Sequence, residues 1–143
     1  QHKRDTMKSN VGNPILFICF CATIFISCNR QTELEGPWIG CESRKPLLDW
    51  TLTVQDNHFS LIREDFDIWF EGCFRLNSNC VLKKIDLQIN DTHERSQNGK
   101  TILGIYEIDS DTLTIVLGLP GKQERPLSLD EPRDAVVFNF VRS

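Results

Sequence analysis

The sequence is poor in basic residues and lacks the motifs of familiar catalytic and metal sites. It has 16 lysines and arginines against 20 acidic residues, and the scattered bases exclude the positive stripe of a nucleic-acid surface. It has no Gly-x-Ser-x-Gly and no His-Glu-x-x-His motif. Since no Cys-x-x-Cys occurs and His58 and His93 lie apart, we expect no zinc site and no cofactor. The chain is therefore interpreted as a non-enzymatic protein, with an unrecognised hydrolase as the weaker alternative.

A convincing helical period is also missing, whereas period-two alternation recurs along the chain. Leu48, Trp50, Leu52 and Val54 share one face of an extended segment. Eight such segments are predicted to be strands: 36–41, 48–54, 58–63, 68–76, 81–89, 99–108, 112–117 and 135–142. Sequential strands with short turns predict an all-β fold, an eight-stranded antiparallel up-and-down barrel. A β-sandwich is the alternative, and the two differ in whether the first and last strands pair.

The first 27 residues read as a signal segment. Residues 1–13 are polar and basic, and 14–27 are almost wholly apolar but shorter than the about 20 residues that span a bilayer. Ser27-Cys28, followed by polar residues, resembles a bacterial lipobox, in which Cys28 would be acylated. The expected division is a lipoprotein signal at 1–27, a polar tether at 28–35 and a barrel domain at 36–143. A cleaved secretory signal and an uncleaved membrane anchor remain the alternatives.

The lipobox resemblance also implies a location. Asn29 replaces the aspartate that commonly retains such lipoproteins in the inner membrane, so we expect the outer membrane with the barrel in the periplasm. Secretion is the alternative. The leader holds three of the 16 basic and one of the 20 acidic residues, so the remaining chain has a net charge of about −6. We expect a monomer that contacts the membrane through its acyl anchor.

The sequence resembles two groups of known barrel proteins. Gly36-Pro37-Trp38 resembles the Gly-x-Trp that opens lipocalin-type barrels, and Arg142 resembles the arginine that caps that tryptophan. The chain is also similar to a small lipocalin-like domain family found mainly in planctomycete-type bacteria. The matching segments are Gly36-x-Trp38, Gly72-x-Phe74-x-Leu76, Ile85–Leu87, Gly99–Leu113 and Pro120–Pro126. The resemblance implies a lipocalin-like barrel closed by Trp38 and Arg142, and it implies no reaction or ligand.

The cysteines allow several arrangements in an exported protein. With Cys28 acylated, Cys41, Cys73 and Cys80 remain outside the leader. Cys73 and Cys80 flank a predicted turn, which favours a disulfide between them. A pair that includes Cys41 and three reduced thiols are the alternatives.

Aromatic residues are the candidates for a binding pocket. We expect that they line either an apolar pocket or a packed core; they are Trp50, Phe59, Trp69, Phe70 and Phe74. The first case predicts binding of a small apolar ligand in the barrel, or of an envelope protein on its rim. The second predicts a structural or interaction module with a solid core. A closed interior of roughly 300 Å³ or more would favour the ligand.

Overall fold

The computed structural model describes residues 32–63, 65, 68–130 and 133–143. Within these residues it contains eight strands and two short 3₁₀ helices, Thr32–Leu34 and Arg95–Gln97. The strands are β1 (Gly36–Glu42), β2 (Lys45–Gln55), β3 (His58–Arg63), β4 (Ile68–Asn77), β5 (Lys83–Thr92), β6 (Thr101–Asp109), β7 (Thr112–Gly118) and β8 (Ala135–Arg142).

The eight strands form one closed antiparallel barrel in sequence order. The closing seam is the pairing of β1 with β8, in which Trp38 lies opposite Arg142 and Gly40 opposite Phe140. This confirms the predicted up-and-down barrel and excludes the sandwich, because every strand has two neighbours and no edge is left open. The strand bounds match the predictions within a few residues. Val81, expected in a strand, lies fully exposed ahead of β5 instead.

Alternation along each strand sends one row of side chains into the core. In β5, Ile85, Leu87 and Ile89 are buried, whereas Gln88 is exposed, as the sequence pattern predicted. The β6–β7 hairpin turns at Ser110, whose φ of 57° lies in the left-handed region that short polar residues tolerate. The barrel interior is therefore an apolar core that the sequence pattern identifies directly.

Gly72 in β4 marks a close approach between strands. A Cβ at this position would overlap the backbone carbonyl of Gln88, and the β4–β5 register shifts between Glu71 and Gly72. Glycine is therefore required here because the neighbouring backbone occupies the space of a side chain. A bulge of this kind bends the strand and increases its local twist.

One end of the barrel is sealed by groups in and just before β1 and at the end of β8. Leu34 is 2% exposed and packs into the core, and the Trp38 Nε1 donates to its carbonyl at 2.9 Å. The Arg142 guanidinium lies 4.2 Å from the Trp38 ring centroid and donates to the Glu35 carbonyl at 2.7 Å. Leu34 and Glu35, placed by the sequence in the tether, therefore take part in closing the barrel. We call this the closed end.

The long connection between β7 and β8 packs on the outside of the barrel. Arg125 donates to the carbonyls of Gly104 and Ile85 at 2.9 and 3.2 Å, and forms an ion pair with Asp86 at 2.7 Å. Outward-facing Ile105 and Val116 are buried in a small second cluster that includes residues 82 and 129. This cover explains why β6 and β7 are apolar on both faces.

Candidate ligand site at the open end of the barrel

The centre of the barrel is almost filled by its own side chains. The enclosed cavity has a volume of about 20 Å³, close to the space that one water molecule needs, about 10–15 Å³. Its lining is entirely apolar and includes Phe59, Phe74, Leu87, Leu113 and Phe140. A ligand of the size envisaged for a closed interior does not fit there, so at the centre of the barrel the structure agrees with the second alternative, a packed core.

The opposite end of the barrel, which we call the open end, carries a cup of about 390 Å³. It lies where the connections after β1, β3, β5 and β7 emerge. This volume is within the roughly 300–1,000 Å³ of small-molecule sites. The cup is lined by the apolar residues Trp50, Leu61, Ile68, Phe70, Ile102, Leu117, Leu119, Pro120, Val136 and Phe138, and by the polar residues Glu42, Lys45, Arg63, His93, Glu94 and Gln97.

The floor and the wall of the cup have different chemistry. Leu61, Ile102, Leu117 and Phe138 are each about 95% buried and supply an apolar floor. Alternation places Arg63 above Leu61 on the same face of β3, at the end of the strand. The cup is therefore apolar below and polar around its rim, as in sites that hold an amphipathic small molecule.

Trp50 and Arg63 form the polar part of the wall. They lie opposite each other in β2 and β3, and the guanidinium carbon of Arg63 is 5.5 Å from the Trp50 ring centroid. Phe138 holds the indole from another side in an edge-on contact at 5.2 Å. Arg63 is only 8% exposed and meets Asp65 at 3.6 Å. The Trp50 Nε1 is buried and has no hydrogen-bond partner among the described residues.

His93 adds a polar group at the rim. Its Nδ1 lies 3.2 Å from the Thr92 hydroxyl and 3.3 Å from the Trp69 amide nitrogen, and its ring meets Phe70 edge-on at 5.5 Å. The Thr92 hydroxyl donates to the Trp69 carbonyl at 2.6 Å. These contacts tie the start of the β5–β6 connection to β4 and fix Phe70 at the cup wall.

The structure separates the five pocket candidates. Trp50 and Phe70 line the cup, and Phe59 and Phe74 line the small central cavity. Trp69 lies opposite Ile62 in the β3–β4 ladder, and Ile62 is exposed at 37%. The prediction that Trp69 lines the interior is therefore wrong, because its place in the alternation turns it to the outer face.

Arg63 and the floor residue Ile102 were missed as candidate site residues. A signal for Arg63 is present in the sequence, since Phe59, Leu61 and Arg63 alternate on one face. An arginine on an inward face is uncommon, because a charge is rarely buried without partners. Arg63 was not recognised because it lies at the end of a strand, where the sequence fits the start of a polar loop equally well.

Cys41, Cys73 and Cys80 are free thiols, so neither predicted disulfide is formed. Cys73 lies opposite Gln88, whereas Cys80 lies beyond the end of β4, outside the ladder. Cys41 lies between Asp49 and Asn139. A cross-strand disulfide needs Cβ atoms roughly 3.5–4.5 Å apart, and no two of these cysteines occupy facing positions.

No group of three or more histidine, cysteine, aspartate or glutamate side chains is placed to hold a metal ion within the described ranges. In the same part of the chain, no helix has the length and apolar character needed to cross a bilayer. Cys28 and the predicted signal, residues 1–27, lie outside the described residues.

Comparison with known proteins adds no relative. No family model matches the chain, and neither a curated protein nor a solved structure matches it.

Proposed function

We propose that the protein binds a small, largely apolar molecule in the cup at the open end of its barrel. The observation that carries this proposal is the cup itself, with a volume of about 390 Å³ and a floor of buried aliphatic and aromatic side chains. Because the centre is filled by side chains, the proposed site is the barrel mouth and not the deep interior. No reaction is part of this proposal.

The proposal includes an envelope location. The lipobox resemblance at Cys28 supports an acylated lipoprotein whose barrel lies in the periplasm, with the outer membrane favoured and secretion as the alternative. Membership of the small lipocalin-like family remains a proposal of the same kind, supported by its Gly36-x-Trp38 and Gly99–Leu113 segments. Intact-mass measurement of the membrane-extracted chain tests acylation, because a modified Cys28 at the mature N-terminus changes the mass in a defined way.

Native mass spectrometry of the full chain with added 1-decanol tests ligand binding. The cup variant is Leu119→Arg, which introduces a charge at a half-exposed lining residue, and the control is Leu127→Arg, in the same connection but 84% exposed and outside the cup. We expect 1:1 adducts with the natural chain and the control, and few with Leu119→Arg. Equal adducts on all three proteins, or none on the natural chain, would contradict the proposal.

A second candidate function is a structural or interaction module. The observation that favours it is the central cavity of only about 20 Å³, which makes the barrel a solid body. The fully exposed Leu47, at the start of β2, could contact an envelope protein at the rim. This function predicts that apolar probes leave the melting temperature unchanged, whereas cup binding raises it with ligand concentration.

A further inference from the structure

We propose that the barrel lies with one side on a lipid bilayer. The contact surface consists of the outward-facing residues of β1, β2 and β3 and of the adjoining end of β8, and we call it the β1–β3 face. The inference goes beyond ligand binding in the cup and rests on the acyl anchor included in the proposed function. It is carried by a row of exposed apolar side chains and by the low charge around that row.

An apolar row crosses the β1–β3 face. The strand pairing places five outward residues side by side in this row: Val141, Ile39, Thr51, Ile62 and Trp69. Val141, Ile39 and Ile62 are 54%, 44% and 37% exposed. Neighbouring strands lie about 4.8 Å apart, so a row across five strands is roughly 20 Å long. A contiguous exposed apolar surface of this kind is typical of an interaction site.

The surroundings of the row carry little charge. In β1, β2 and β3, which lie wholly within the described residues, Asp49 is the only carboxylate at an outward position, and Lys45 and Arg63 line the cup instead. The opposite side of the barrel differs, because the outward positions of β4 and β5 carry charges of both signs: Glu71, Arg75, Lys84 and Asp86. The β1–β3 face is therefore the side that can leave water at the smallest cost.

A basic and apolar tip continues the face at the open end. The β1–β2 ladder shifts register here, so that residues 46–48 bulge out of it. Leu47, in this bulge, is 94% exposed, and the exposed Arg44 and Lys45 precede it. Basic side chains beside an exposed leucine suit the boundary between phosphate head groups and acyl chains. Asp49 lies near the same end, where these two bases outnumber it.

The position of the acyl anchor favours lipid as the partner of this face. Leu34 follows Cys28 by six residues, so even a fully extended tether reaches only about 20 Å. The 11-residue β2 is longer than this reach, at about 36 Å. An acylated Cys28 therefore holds the barrel close to the bilayer, and the strand that follows the tether, β1, belongs to the apolar face.

An upright barrel, standing on its closed end, is disfavoured. The turns and the chain entry at this end carry four carboxylates: Glu35, Asp56, Asp109 and Asp111. Anionic head groups repel them, and the nearby Arg142 is already paired with Asp111 at 3.7 Å. A barrel on its side instead brings the apolar row and the basic tip to the bilayer together.

Fluorescence quenching by brominated lipid identifies the side that meets the bilayer. Each variant adds one tryptophan at an exposed position: Leu47→Trp in the tip, Gln88→Trp on the opposite side, or Val81→Trp at the closed end. The full acylated chain is held in vesicles of phosphatidylethanolamine and phosphatidylglycerol, with or without bromine on the acyl chains. We expect bromine to remove much of the emission that Leu47→Trp adds to the natural chain, and little of that added by the other two.

A matched pair of threonine substitutions tests the face itself. Thr53→Asp places a charge on the β1–β3 face, and Thr101→Asp places the same charge at an exposed position of β6. In the Leu47→Trp chain, we expect Thr53→Asp to lower the ratio of docked to undocked barrel roughly tenfold and so to restore emission. Thr101→Asp should leave the quenching unchanged.

The outcomes separate this proposal from the proposed function. Strongest quenching of Val81→Trp would overturn the side-on orientation in favour of the upright one, and equal quenching at all three positions would refute a preferred side. No quenching of Leu47→Trp would overturn lipid as the partner and leave the face to a protein. A chain that carries no acyl group by intact mass and stays in solution would overturn the anchor and this orientation together. Binding of 1-decanol in the cup is measured separately and is unaffected by any of these results.

Discussion

The two buried tryptophans of the barrel differ in one hydrogen bond. Trp38 at the closed end donates its Nε1 to the Leu34 carbonyl at 2.9 Å, whereas the Nε1 of Trp50 at the open end has no protein acceptor in the described structure. Both rings are at least 96% buried. The same group is therefore a structural hydrogen bond at one end and a buried donor without a protein acceptor in the described structure at the other, so the two indoles contribute differently to the stability of the barrel.

This contrast predicts different stabilities for the same substitution. Trp38→Phe and Trp50→Phe remove similar ring volume, but only Trp38→Phe breaks a hydrogen bond and leaves the Leu34 carbonyl without its donor. We expect Trp38→Phe to lower the free energy of unfolding by about 1–3 kcal/mol more than Trp50→Phe. Urea unfolding followed by circular dichroism measures both. An equal loss of unfolding free energy would show that the two indole nitrogens contribute equally to stability, and would contradict this prediction.

Among the connecting elements, the β7–β8 connection is attached to β5 and β6 by Arg125. Arg125 contacts Ile85, Gly104 and Asp86 on β5 and β6. It keeps this connection over the apolar outer faces of β6 and β7. The same connection supplies Leu119 and Pro120 to the cup, so its anchoring also bears on the shape of the site.

Arg125→Met is expected to loosen this connection. It removes two hydrogen bonds and an ion pair from a side chain that is 21% exposed, for which we expect a loss of about 1–3 kcal/mol in unfolding free energy and faster trypsin cleavage after Lys122. Lys122→Met is the stability control, because it removes only an exposed ion pair with Asp134, worth about 0–1 kcal/mol. Should both variants unfold at the same urea concentration, the anchoring role of Arg125 would be refuted.

Strands could be predicted from sequence better than the site. Alternation in segments such as Ile85–Ile89 depends only on which face meets the core, so it can be seen in the sequence. Trp69 shares its face of β4 with Glu71 and Arg75, so alternation already places it outside, and the prediction followed its large apolar ring instead. The cup was missed because its wall joins strand ends with connections distant in sequence, and no local pattern records that Arg63, Ile102 and Leu119 meet.

For the whole molecule, closure depends on the seam between the first and last strands. Arg142 lies over Trp38 and binds the Glu35 carbonyl, so one side chain links β8 to the segment before β1. The resemblance to lipocalin-type barrels predicted that Trp38 and Arg142 would meet, and the structure brings them together. With the centre filled and the closed end sealed, the open end is where a small ligand finds room.

Removing this link should destabilise the whole barrel. Arg142→Met loses the cation–π contact and the hydrogen bond to Glu35, and we expect a loss of about 1–3 kcal/mol in unfolding free energy. Arg75→Met, on an exposed position of β4, is the control and should have little effect. Thermal and urea unfolding of the two variants measure the difference. Matching stabilities would mean that the strand pairing alone seals the barrel.

The location of a bound molecule tests the central claim most directly. A crystal structure of the protein with 10-bromo-1-decanol, phased to show the anomalous signal of bromine, would place the apolar end of the probe. We predict a bromine peak in the cup, beside Ile102 and Leu117. The centre of the barrel, which Phe59 and Phe74 line, should remain filled by side chains. A bromine peak in the centre, between Phe59 and Phe74, or no bound probe at all, would contradict the account.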